Sequence, residues 1–176
     1  MSRTAASETP QPPRHPGVDY RSIEEFVTES FQRHAIDFGE WIAETSRQRA
    51  NARGYDALRR AHNRVFVHLS LDGSRVVDIA EAEGVSKTAI GQLVTELEEL
   101  GFVERRADPD DGRAKKVFYT RKGIEMLETA RSIAQGIDAD LAGILGKRKF
   151  DQLANLLAEA FRAKDRLDRQ GSSHPK

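Results

Sequence analysis

The sequence contains no cysteine. That excludes disulfides, thiolate metal sites and cysteine-based redox switching. It also lacks any apolar run approaching the roughly 18 residues of a membrane span, and its polar N-terminus has no apolar signal-peptide core. The expectation is a soluble, cytoplasmic protein without membrane association. Bulk charge of one sign is missing as well: 28 basic residues meet 28 acidic ones, for a formal net charge of zero. Any polyanion partner must therefore be recognised by local charge placement. The five histidines are scattered without short spacing, so no metal site is expected. No phosphate loop, nucleophile elbow or paired catalytic carboxylate is visible, so neither an enzyme nor a cofactor is expected.

Proline is scarce, and four of the six crowd into Met1–Asp19 (Pro10, Pro12, Pro13, Pro16). This stretch cannot run as a helix or bury much, and reads as a flexible arm over 1–20. Arg3, Arg14 and His15 are its candidates for touching a partner. The sequence as a whole has 32% charged residues and a modest 38% hydrophobic content, the composition of a well-solvated helical domain.

Helical spacing of apolar residues dominates from Ser22 onward. Ser22 with Glu25 three residues later fits a capping box. Ile23, Phe26, Val27, Phe31, Phe38, Trp41 and Ile42 then keep one wide face to about Asn51. Gly54 breaks this helix, and a second is expected over Leu58–Leu71, with Arg59, Arg60 and Arg64 among its polar positions. Asp72-Gly73-Ser74 reads as a turn and Arg75–Val77 as a short strand.

The central stretch is Val76–Gly123. Asp78–Glu83 reads as a short helix and Gly84-Val85 as its turn. A longer helix capped by Ser86 carries Ala89, Ile90, Leu93, Val94, Leu97 and Leu100 at core spacing, and Gly101 stands where a left-handed terminus is wanted. Phe102–Arg106 and Lys115–Tyr119 read as strands joined by the turn-rich ADPDDGRA. Thr120 can cap a further helix to Leu145. Gly146 ends that helix, and Phe150, Leu153, Leu156, Leu157 and Phe161 mark a last amphipathic one. The fold class is mainly α with a small β-wing: a winged helix-turn-helix over 54–121, flanked by an N-terminal dimerisation helix (21–53) and C-terminal dimerisation helices (122–170), with a flexible tail at 171–176.

A helix-turn-helix followed by a basic hairpin suits double-stranded DNA. The non-core face of the Ser86 helix shows Ser86, Lys87, Thr88, Gly91, Gln92 and Thr95. Gln92 can pair with an adenine edge, and the methyls of Thr88 or Thr95 can meet a thymine methyl. Ser86 and the helix N-terminus suit a phosphate. Glu96 and Glu99 oppose this, and must face away or limit insertion. From Arg105 to Lys122, seven bases stand against three acids, a local excess of four positive charges in a neutral chain. Arg105, Arg106, Lys115 and Arg113 are the wing's contact candidates. Arg113 is placed to reach a minor groove, and Asp111 to hold its guanidinium.

At these residues the chain resembles the MarR family of winged-helix transcription regulators. The carriers are DIAEAEGVSKTAIGQLVTELEELGFVERRADPDDGRAKKVFYTRKG, and the close match covers Val76–Gly123. The wing element DPDDGR followed by YTRKG is more specific than a bare helix-turn-helix. The resemblance implies a homodimer built by the N-terminal and last two helices, binding a pseudo-palindromic operator, usually as a repressor. It maps the wing arginine onto Arg113, its supporting aspartate onto Asp111 and the recognition helix onto Ser86–Leu100. It also implies a small aromatic or phenolic effector, for which His34, Phe38, Trp41, His62 and Phe66 are the candidate lining; the same aromatics equally suit plain core or dimer packing. The chain departs from the family at Gln92 and Glu96, where basic residues are common, and in its more basic second helix. A second reading is a winged-helix protein-interaction module without specific DNA binding.

Overall fold

Side-chain caps at Asp19, Ser30, Ser86 and Thr120 set where four of the described helices begin. The computed structural model describes residues 15–108 and 111–171, with the backbone alone at 112, 113 and 165–171. Arg3, Arg14 and most of the expected arm, the hairpin-tip residues 109–110, and the tail beyond Gly171 lie outside the described residues. The chain divides into two compact units, 1–41 and 42–176.

In the first unit, α1 spans Tyr20–Glu29 and α2 starts at Phe31, running on to Asn51. The Asp19 carboxylate accepts the Ser22 N–H at 3.2 Å and caps α1. The expected cap at Ser22 is therefore displaced, and Glu25 pairs instead with Arg21 at 3.0 Å. Ser30 takes an extended backbone (φ −71°, ψ 151°), and its hydroxyl accepts the Arg33 N–H at 3.2 Å. That cap splits the expected single helix in two, because a serine offering its side chain to the next turn competes with continued helical bonding. No side chain of α1 or α2 is buried.

The second unit is organised around α5 (Lys87–Glu99), whose Ile90, Val94 and Leu97 are fully buried. Where a helix was expected over Leu58–Leu71, there is only a 3-10 turn at Arg60–His62 and a single turn, α3 (Asn63–Phe66). His62 explains the tight start: its ring turns back so that Nδ1 accepts the Arg59 N–H at 3.1 Å. The short strand β1 is Ser74–Arg75, and α4 (Val76–Glu83) begins two residues earlier than expected. Gly84 takes φ +72° at the corner of the helix-turn-helix, where side chains are disfavoured. Strands β2 (Val103–Asp108) and β3 (Asp111–Tyr119) reach further than the sequence suggested, leaving only Pro109 and Asp110 between them. The sheet is antiparallel in the order β1-β3-β2, with Arg75 opposite Lys116 and Val103 opposite Tyr119.

The Thr120 hydroxyl accepts the Gly123 N–H at 3.1 Å and donates to the Gly101 carbonyl at 2.6 Å. It thus caps α6 (Arg121–Leu145) while fastening it to the corner where α5 meets the wing. Gly146 ends α6, and α7 (Lys147–Gly171) starts three residues before the expected Phe150. No helix among the described residues is long and apolar enough to cross a membrane.

Tyr119 gives this unit an alkaline limit. Its ring stacks on Phe66 and its hydroxyl donates to the Phe66 carbonyl at 3.3 Å. Burial pushes the phenol from 10.0 up to about 12. The unfolded chain releases this proton first, so the stability contribution is complete below pH 10 and disappears as the pH rises towards 12. An alkaline titration should therefore show one of the three tyrosines ionising late and together with loss of helical signal. Tyr119→Phe should remove that coupled step; its persistence in the variant would contradict the assignment.

Candidate nucleic-acid interface

The exposed face of α5 is built from its cap onward. The Ser86 hydroxyl accepts the Ala89 N–H at 3.2 Å, so this oxygen is already engaged in starting the helix. Lys87, Thr88, Gln92 and Thr95 are exposed over the next turns. A Cβ added at Gly91 would meet nothing within 4 Å, which leaves the middle of this face low and open.

The acids that seemed to oppose a polyanion are held elsewhere. Glu96 lies 2.9 Å from the His62 ring and forms an ion pair with Arg59. The hydrogen bond from His62, then that from Arg59, lowers its pKa below the ordinary carboxylate value. Glu98 accepts the Arg105 backbone N–H at 3.0 Å and pairs with its guanidinium. Both carboxylates thus bind α5 to neighbouring elements. Glu99 stays exposed, on the helix's final turn.

Arg105, expected on the contact surface, turns onto α5. Its Nη2 donates to the Gly91 carbonyl and the Thr95 hydroxyl, each at 3.1 Å. Arg106 is exposed, pairs with Glu104 and covers the Phe118 ring at 5.6 Å. Lys115 is exposed on β3, opposite Ala107. The Arg113 backbone belongs to β3, and its side chain lies outside the described ones.

The far end of β2 holds a residue that sequence reading missed. Asp108 was counted among the loop acids, yet its side chain is fully buried. Its Oδ2 accepts from Arg75 Nε at 2.7 Å, and Oδ1 lies 3.3 Å from Lys116 Nζ. The Arg75 guanidinium also lies 3.5 Å from Asp111, and Asp108, before Asp111, is the main cause of its raised pKa. The expected hold of Asp111 on Arg113 falls on a side chain outside those described; at Arg75, Asp111 is accompanied by the more buried Asp108. Only the register of β1 on β3, which sets Arg75 opposite Lys116, brings this cluster together.

The effector candidates are divided between the two units. In the first, His34 is exposed, and Phe38 and Trp41 stack with centroids 5.8 Å apart. In the second, His62 is buried against Glu96 and Phe66 stacks on Tyr119.

A helix-turn-helix with a paired third strand and a β-hairpin beside its second helix defines the winged-helix class. Residues 58–114 match the sequence model described as MarR family. The curated transcriptional regulator HosA of Escherichia coli O111:H- is 26% identical over 91 residues, covering 52% of this chain and 67% of the relative. Among solved structures, CouR from Rhodococcus jostii RHA1 bound to p-coumaroyl-CoA matches with TM-score 0.60 and 22% identity, over 78% of this chain and 92% of that one. A mutant of S. aureus MepR bound to an oligodeoxyribonucleotide matches with TM-score 0.53 and 19% identity, over 76% of this chain and 97% of that one. This chain has the winged-helix fold of those solved structures, and its residues 58–114 are similar to the MarR family.

Proposed function

We infer that this chain is a homodimeric, sequence-specific DNA-binding transcription repressor of the cytoplasm that occupies a pseudo-palindromic operator. The observation that carries the reading is the division of charge on α5. Lys87, Thr88 and Gln92 are exposed, whereas Glu96 and Glu98 are drawn to His62, Arg59 and Arg105. A helix so arranged offers a cation, a hydroxyl and an amide to a major groove with few opposing charges. Arg106, Arg113 and Lys115 add phosphate or minor-groove contacts from the wing. Support for dimerisation comes from large apolar side chains left open in both units. Phe26 and Phe31 are 63% and 76% exposed, Ile144 and Phe161 80% and 68%. Faces of this kind mark interaction surfaces.

Release by a small aromatic ligand is the regulatory part of the proposal. It is supported by CouR, which carries p-coumaroyl-CoA. Selection of bound duplexes from a random pool tests both parts. The expected product is an inverted repeat with half-site centres about one helical turn apart, depleted when the effective aromatic acid is added. Enrichment of no duplex at low salt would favour the protein-interaction module that a zero net charge also suits.

A further inference from the structure

We propose that Thr95 is a methyl-reading position of the recognition helix, fixed in that role by Arg105, and that it selects thymine at one base pair of each half-site. This rests on the DNA-binding reading above. Thr95 is exposed on the same face as Gln92, one turn before it, and Thr88, two turns before it. A threonine at such a position ordinarily offers a hydroxyl that can donate or accept. Here the single hydroxyl proton goes to the Gly91 carbonyl at 2.9 Å. The oxygen in turn accepts from Arg105 Nη2 at 3.1 Å, and the same nitrogen holds the Gly91 carbonyl at 3.1 Å. Glu98 anchors Arg105 through its backbone N–H at 3.0 Å and through its guanidinium.

Threonine in a helix normally divides between two rotamers, because its hydroxyl alone decides whether to bond the preceding turn. The second bond, from Arg105, closes that choice. The side chain has no proton left for the acceptors that dominate the major-groove edges of guanine and thymine. An amino group of adenine or cytosine approaching the remaining lone pair would meet the adjacent guanidinium charge. What Thr95 can still present is its methyl, and thymine alone of the four bases carries a methyl in that groove.

The test replaces each thymine of the selected operator by deoxyuridine, one at a time, and compares wild type, Thr95→Val and Thr95→Ser. One symmetry-related position should weaken wild-type binding about fourfold, the worth of one buried methyl group. Thr95→Val should keep that sensitivity. Thr95→Ser should lose it, and should bind the thymine operator more weakly by a similar factor. The assignment is overturned if Thr95→Val loses the sensitivity while Thr95→Ser keeps it, or if no position distinguishes wild type from Thr95→Ser on an operator that both bind. A chain that enriches no duplex overturns the DNA-binding reading and this one with it; an enriched operator without the uridine effect overturns this one alone.

Discussion

Replacing Gly123 with alanine should destabilise the second unit by about 3 kcal/mol, at the upper end of overpacking costs. A Cβ there would lie 2.1 Å from the Phe102 carbonyl oxygen and 3.1 Å from the Tyr119 ring. The close neighbour is backbone, and it has little freedom to retreat. The Phe102 carbonyl accepts the Thr120 N–H at 3.1 Å, Thr120 holds the Gly101 carbonyl, and Lys122 reaches the Leu100 carbonyl at 2.8 Å. Together these bonds seat the first turn of α6 on the corner between α5 and β2. The glycine of the YTRKG element is thus a packing requirement, with a helical backbone and no positive φ. Thermal unfolding should show the loss as a fall of very roughly 6–12 °C for a chain of this size. Gly91→Ala is the matched control. Nothing lies within 4 Å of the added methyl, so replacing a helical glycine should leave stability unchanged or raise it by up to about 1 kcal/mol. Equal losses in the two variants would contradict the close-approach account.

Replacing Asp108 with alanine should cost roughly 2–3 kcal/mol, somewhat below the cost of breaking a fully buried ion pair. The carboxylate is completely enclosed, but its partners are not: Arg75 is 37% and Lys116 21% exposed at the side chain. Water can therefore recover part of what the cations lose. The two oxygens join β1 to the end of β2 and to β3, so the damage should concentrate in the wing. Amide exchange in β3 should accelerate more than exchange in α5, and operator affinity should fall through the wing's altered position. Denaturant unfolding gives the stability term directly. A loss below about 0.5 kcal/mol, the scale of an ordinary surface substitution, would show that the cluster is solvated enough to spare its carboxylate.

Local chemistry was readable in the sequence, and distant pairing was not. The start of α5 at Ser86, the glycine corners at Gly84 and Gly101, and the Thr120 cap all follow from residues within four positions of one another. The break at Ser30 is equally local, yet it sits inside an uninterrupted apolar period that argued for one helix. The loss of α-helix before Asn63 was hidden because the His62 ring, not a helical turn, satisfies the backbone at Arg59. Glu96 finds partners 34 and 37 residues earlier in the chain, and Asp108 finds Arg75 33 residues earlier. No spacing rule reaches that far. As a result the acids of α5 looked like obstacles to DNA, Asp108 looked like a loop residue, and Arg105 looked free to touch a phosphate.

Reading of DNA sequence by this winged helix, as opposed to attraction by charge alone, is the property on which the proposed function stands. Its most direct test is the affinity of the intact chain for its selected operator and for a scrambled duplex of equal length, measured over a series of salt concentrations. Both affinities should fall linearly on a log–log scale, as phosphate neutralisation requires, while the operator stays at least about a thousandfold tighter throughout. Indistinguishable affinities for the two duplexes at every salt concentration would contradict it.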